Sequence, residues 1–122
     1  MKTRAVVFSP EARDDLIALY DWIAEVAGAQ TAIRYLERLE KHCMGFAQVS
    51  ERGHSRGDIR PNLRITGFER RITIAFSIDA ESVTILRLFY GGRDWEADLL
   101  SELRINHDHS GNAGKTDRAL YR

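Results

Sequence analysis

The stretch Thr84-Ile85-Leu86-Arg87-Leu88-Phe89-Tyr90-Gly91-Gly92-Arg93-Asp94-Trp95 reads as an apolar strand with one embedded arginine, followed by a two-glycine turn. A second arginine comes next, beside an aspartate placed to start a helix. A strand this apolar belongs in the middle of a sheet. There a charged side chain is costly unless it reaches solvent or a partner. Arg87 and Arg93 therefore stand out as candidate functional residues.

The segments before this strand extend the sheet. Ile72, Ile74, Phe76 and Ile78 alternate with Arg71, Thr73, Ala75 and Ser77, the period of a half-buried strand over about Arg70 to Ile78. Asp79-Ala80-Glu81-Ser82 supplies the hairpin turn. A shorter strand, about Leu63 to Thr66, precedes these two. Glu51 to Asn62, with Gly53, Gly57 and Pro61, reads as a loop carrying Arg52, Arg56 and Arg60.

The first half of the chain has a different period. After a short strand, Arg4 to Phe8, Ser9-Pro10-Glu11 is a helix start: a hydroxyl N-cap, a proline at the first helical position and an acid at the positive end. Ala12, Leu16, Tyr20, Ile23 and Ala27 recur at helical spacing, widened by Ile17, Leu19 and Ala24. Asp14, Asp15, Asp21 and Glu25 lie largely off that stripe and read as a solvated face. Gly28 is a natural stop. A second helix follows, with Ile33, Leu36, Leu39, Cys43 and Phe46 as its apolar side, so the two form an antiparallel hairpin. Asp94 caps a last short helix with Trp95, Leu99, Leu100 and Leu103 on its apolar side. The expected fold is α+β: an N-terminal strand, a helical hairpin, a mainly antiparallel three-stranded meander completing a small sheet, and a short C-terminal helix. Residues 1–103 form the expected domain. Residues 104–122, poor in apolar periodicity, read as a flexible tail.

The chain of 122 residues suits one domain. No apolar run approaches the roughly 20 residues of a spanning helix, and no signal-peptide pattern opens the chain. With a single cysteine these features point to the cytoplasm. The zero net charge hides an asymmetry. From Ser9 to Glu51, four basic residues face eight acidic ones, a balance of −4; from Arg52 to Arg93, eight arginines face four acids, a balance of +4.

Conventional catalytic patterns are missing from this sequence. His107 and His109 have only Asp108 beside them, and His42 and His54 have no ligand spacing around them, so no metal site is expected. Cys43 belongs to a core stripe, and no nucleophilic triad is visible. Gly91-Gly92 lacks the lysine and further glycines of a phosphate loop, and no cofactor is expected. What remains is a set of arginines on and around the sheet: Arg64, Arg71 and Arg87 in strands, with Arg70 and Arg93 beside them. Gathered on an open sheet face, they would suit either nucleic-acid phosphates or an acidic protein segment.

Several of these pieces occur together in an order that resembles the ParE/RelE superfamily of toxins from type II toxin–antitoxin systems. They are Phe8-Ser9-Pro10-Glu11-Ala12, Tyr20-Asp21-Trp22-Ile23, Glu51-Arg52-Gly53, Pro61-Asn62-Leu63-Arg64, the strand Arg71 to Ile78, and Ile85-Leu86-Arg87 leading into Gly91-Gly92-Arg93-Asp94. The resemblance runs from about Val6 to Leu103. For the RelE-like branch it implies a ribosome-dependent messenger-RNA endoribonuclease, with Arg64, Arg71 and Arg93 as its basic catalytic residues. That branch's second lysine falls on Thr66 and its catalytic tyrosine on Leu99, and a leucine cannot shuttle a proton. The ParE-like branch is the better match, above all at the Gly-Gly-Arg-Asp turn. It implies a non-enzymatic inhibitor of DNA gyrase that arrests growth, contributes to plasmid stabilisation and is neutralised by a ParD-like antitoxin in a hetero-oligomer. Arg64, Arg71, Arg87, Tyr90 and Arg93 are then the expected contacts to target or antitoxin.

Overall fold

The computed structural model describes residues 3–91 and 95–108, with side chains up to Glu102. Arg93 and Asp94, the second arginine and the helix-starting acid of the opening stretch, lie outside the described residues. The chain divides into a unit ending at Gly91 and a unit beginning at Gly92. In the second unit the described element is α3, Trp95–Asp108. This helix runs past Leu103, where the sequence pattern ended the domain.

The first unit begins with β1, Ala5–Phe8, and passes directly into α1, Pro10–Ala27. The Ser9 hydroxyl accepts a hydrogen bond from the Ala12 amide at 3.0 Å, as an N-cap should. Gly28, at φ +98°, ends α1 and also caps α2, Ala29–Met44. An added Cβ there would meet nothing within 4 Å, so the requirement is conformational, not spatial. A 3-10 turn, Gly45–Ala47, follows. The sheet is then completed by β2 (His54–Ser55), β3 (Leu63–Phe68), β4 (Ile72–Ile78) and β5 (Ser82–Tyr90). The strand order is β1-β5-β4-β3-β2, with β1 parallel to β5 and every other pair antiparallel.

The expected α+β architecture is present, and one strand more than the pattern predicted. β2 lies inside the segment read as a loop, and two residues are too few to show alternation. Gly53, at φ +75°, packs it against β3; a Cβ there would stand 2.8 Å from the Thr66 Cβ.

One irregularity decides which way β5 faces. Ala75 pairs with Arg87 and Phe76 with Ile85, so Leu86 is skipped in a bulge. Simple alternation would put Arg87 on the same face as Ile85, in the core beneath the helices. The bulge shifts the phase, so Leu88 and Tyr90 join Ile85 on the helical face while Arg87 and Phe89 turn to the other. The core between hairpin and sheet includes Leu39, Cys43, Phe46, Ile74, Phe76 and Ile85, all fully buried. The other face is not an open basic surface. Leu63, Ile65, Ala75 and Phe89 are buried there.

The helical stripes are narrower than the sequence suggested. Ile17 is 61% exposed and Ile33 44%. Each lies about one residue off the line set by Ala12, Leu19 and Ile23 or by Ala32, Leu39 and Cys43, and 100° per residue carries it to solvent. Tyr35, absent from the expected stripe, is buried. Burial pushes the Cys43 thiol up to about 12, which suits a core residue and not a nucleophile.

Asp15 does not belong to a solvated face. β1 is short and leaves β5 without a strand neighbour beyond Ile85. The start of α1 takes over that edge. The Ser9 amide donates to the Ile85 carbonyl at 2.9 Å and its hydroxyl to the Leu86 carbonyl at 2.9 Å. The Leu88 amide donates to Asp15 Oδ2 at 2.8 Å. Arg87 closes on the same carboxylate with two hydrogen bonds, of 2.7 and 3.0 Å. The two side chains are only 7% and 12% exposed. Removing one partner of so buried a pair strands the other, at a cost of about 3–5 kcal/mol. Asp15→Ala is expected to lower stability in urea unfolding by about 3 kcal/mol or more, with Arg87→Met in the same chain recovering part of the loss. A loss below about 1 kcal/mol would mean that the pair is dispensable.

His42 gives a pH-dependent prediction. Its ring lies 5.5 Å from that of Phe46 and 5.0 Å from that of Phe68, and its buried Nε2 has no hydrogen-bond partner among the described residues. Burial, and next the nearby Arg52 charge, push its pKa below the usual value. The unfolded chain therefore takes up this proton first. The contribution is fully present above about pH 6.5 and is lost as pH falls through the lower folded value. The melting temperature of the wild type should fall more between pH 7.5 and pH 5 than that of His42→Phe. Parallel curves would refute this.

Candidate functional site

The tip of the helical hairpin overhangs the sheet and leaves a groove of about 400 Å³. On α1, Trp22, Ile23, Val26 and Ala27 form one wall; Thr31, Tyr35 and Arg38 of α2 form another. The sheet contributes Glu69, Arg71 and Tyr90. Trp22 and Val26 lie on the helical side nearest the core stripe, yet remain 45% and 61% exposed. Trp22 rests on Tyr90 with ring centroids 4.6 Å apart. This gives the groove an aromatic end.

The opposite lip is polar and strained. Phe68-Glu69-Arg70-Arg71 is a β-turn closed by the Arg71 amide on the Phe68 carbonyl at 3.0 Å, within the three-residue connection between paired Phe68 and Ile72. Glu69 and Arg70 have φ of +52° and +59°, the conformation for which such turns usually employ asparagine or glycine. Residues held this way cost about 1–3 kcal/mol each and persist only when the surroundings hold them. Arg38 helps to do so, gripping both Glu69 oxygens at 3.0 and 3.1 Å. That hydrogen bond is the main reason the Glu69 carboxyl titrates below its usual range. The pair is half exposed, so it orients the turn more than it stabilises the fold.

Tyr35 lies between these two ends. Its ring packs edge-on against Phe68, with centroids 5.7 Å apart, and Arg38 lies 5.0 Å above it. The hydroxyl is buried without a partner among the described residues. Burial, then the Glu69 charge, raise its pKa. The groove thus combines apolar and aromatic walls with cationic Arg38 and Arg71 and one unfilled hydroxyl. These are groups for recognition, and among the described residues no cluster of three potential metal ligands occurs.

The arginines singled out in the sequence do not share a face. Arg71 and Tyr90 meet in the groove. Arg64 lies on the helical face, opposite Phe76, and donates to the carbonyls of Arg52 and Gly53 at 3.0 and 3.3 Å. Along β4, Arg71 and Phe76 are separated by roughly 17 Å of strand, so Arg64 and Arg71 mark opposite ends of the sheet. Arg87 turns inward onto Asp15. Trp22, Tyr35, Arg38 and Glu69 were not read as site residues. Trp22 and Tyr35 carried a signal, since each puts a polar-tipped ring on or near an apolar stripe.

The family model for the ParE toxin of the type II toxin–antitoxin system parDE matches residues 6–95. This chain belongs to the ParE toxin family. Among solved structures, a chain of the chromosomal ParDE toxin–antitoxin system from P. aeruginosa is similar, with a TM-score of 0.64 and 22% identity over 73% of this chain and 97% of that one. At that identity the likeness speaks for the fold. A search of curated proteins found no match. Thr66 is paired with Ile74 in the sheet, and Leu99 lies on α3.

The orphaned Tyr35 hydroxyl gives a direct test of the groove's free state. Tyr35→Phe removes a buried polar group without a partner and keeps the ring. It should leave the empty protein unchanged or more stable by about 1 kcal/mol in urea unfolding. Destabilisation of that size would instead reveal a partner for the hydroxyl.

Proposed function

We propose that this ParE toxin inhibits DNA gyrase and is neutralised by a cognate antitoxin, one segment of which fills the groove between Trp22, Tyr35, Tyr90 and Arg71. The match to the ParE toxin family over residues 6–95 carries the reading of the class. The groove supports the reading of its control. It is long and open, walled by exposed Trp22 and Val26, and bounded by Arg38 and Arg71. An amphipathic segment with apolar anchors and a carboxylate would bury the former and pair the latter. The first half of the chain carries the −4 balance, so a uniformly acidic partner is disfavoured; acids confined to the Arg71 end are what the groove accepts.

In this reading Arg71 and Tyr90 are contact residues and Arg87 serves the fold. Arg93 is proposed to belong to the recognition surface on the strength of the family resemblance. Activity is assigned to binding and not to hydrolysis, in keeping with Leu99 where the ribonuclease branch has its tyrosine.

Purified toxin should block supercoiling by gyrase, and the antitoxin encoded beside it should restore the reaction. Replacing both Arg71 and Tyr90 by alanine should weaken antitoxin binding by at least about tenfold, since buried aromatic and arginine anchors each carry over 1 kcal/mol. Untouched gyrase, together with codon-specific cleavage of translated messages, would instead assign the ribonuclease activity.

A further inference from the structure

At the end of the sheet away from the groove, a second set of arginines shares an unusual mode of anchoring. Arg4, Arg52 and Arg64 each donate through Nε to a main-chain carbonyl: of Asp79 at 2.8 Å, of Val49 at 3.0 Å and of Arg52 at 3.0 Å. They are linked through one short segment. Arg4 also reaches the hydroxyl of Ser50 at 3.4 Å, and Arg64 the carbonyl of Gly53 at 3.3 Å. Ser50 is itself buried and tied to the Phe46 carbonyl at 2.7 Å, and the Arg52 guanidinium stacks 4.9 Å from the Phe46 ring. Carbonyl acceptors fix the planes of these guanidinium groups without neutralising them. None of the three, nor the exposed Arg60 beyond them, is ion-paired with a carboxylate among the described residues.

The acids nearby leave this excess standing. Asp58 is held by Arg56 at 2.9 Å, and Asp79 is turned into its own hairpin by the amides of Glu81 and Ser82 at 2.8 and 2.7 Å. Glu51 is the one exposed acid within the segment that ties the arginines together. The same surface offers little to an apolar partner: between Val49 and Asn62 the exposed large hydrophobic side chain is Val49 itself, at 52%. A protein interface needs an apolar centre and a single-stranded nucleic acid needs stacking rings, whereas phosphate contacts need neither. Pre-oriented guanidinium groups fit a regular array of phosphates.

We infer that this end of the sheet, through Arg4, Arg52, Arg60 and Arg64, binds the phosphate backbone of duplex DNA. The site is separate from the groove and does not depend on an antitoxin. The chain as a whole has no net charge, so attraction to DNA must come from a local patch.

The test is fluorescence anisotropy of a short labelled duplex with the purified full-length chain, at salt from about 50 to about 200 mM. Binding should weaken steeply with salt and be indifferent to sequence. Arg60→Gln, whose side chain makes no hydrogen bond among the described residues, should flatten the log–log salt slope by about 0.9 without altering the melting temperature. Arg52→Gln should flatten the slope by a similar amount, while Arg34→Gln, which removes an equal charge from the exposed side of α2, should leave it unchanged. Poly-L-glutamate and a single-stranded RNA serve as the other arms. Absence of duplex binding at 50 mM salt, slopes unchanged in both variants, or preferential binding of polyglutamate or RNA would each overturn the inference.

Discussion

The short first strand sets a problem that the rest of the fold answers. With β1 ending at Phe8, the outer edge of β5 would present open backbone groups from Leu86 to Tyr90, and an arginine would stand in the middle of it. Asp15 meets both needs at once, accepting from the Leu88 amide and from Arg87. Its carboxylate accepts three hydrogen bonds, so none of the groups gathered there is left unpaired where water is scarce. Its position in the second turn of α1 sets the rotation of that helix against the sheet edge. The Ser9 cap, bonded to the Leu86 carbonyl, sets its start. Two points fix a rigid rod, so the direction of the whole hairpin follows from them.

That direction produces the groove. The helix starts beside Ile85 and Leu86, partway along β5, so little of that strand remains ahead of its eighteen residues, and Trp22 and Val26 near its end stay partly uncovered. Covering these side chains with more strand would have removed the groove. The chain leaves them open and holds the facing turn in a conformation that Glu69 and Arg70 adopt only under constraint. Apolar exposure on one wall and backbone strain on the other are both costs to the free protein. They are concentrated at one place, the signature of a surface shaped for a partner and not for stability alone.

The parts of this architecture that were legible in the sequence are those governed by local period. Ser9-Pro10, Gly28 and the alternation in β4 announced the hairpin and the meander, because capping and periodicity involve residues close in the chain. The Asp15–Arg87 pair joins residues 72 positions apart, and nothing local distinguishes Asp15 from Asp14. The bulge after Ile85 has no glycine to mark it, so the sequence does not show how Arg87 comes to lie on the face opposite Ile85. The groove was hidden for a similar reason: Tyr35, Glu69 and Tyr90 are brought together only by the overhang. Arg71 was picked out as one of the sheet arginines and Tyr90 among the contacts the resemblance implies; their meeting in one groove was not legible.

The charge asymmetry of the chain now has a physical meaning. The acidic half is the helical hairpin and the basic half is the sheet with its loops, and only selected charges cross between them. Asp15–Arg87 crosses and is buried, so it specifies the fold. Arg38–Glu69 crosses in the opposite sense and is exposed, so it can exchange partners at little cost. A carboxylate arriving in the groove finds Arg71 and the outward side of Arg38 without having to break the core. An enzyme working on RNA would need its bases and acids gathered at one point, with a side chain able to move a proton. Here the cations are distributed to opposite ends of a sheet and tied to carbonyls or to the walls of a groove. Such an arrangement suits the holding of partners, which is what the proposed inhibition by binding asks of it.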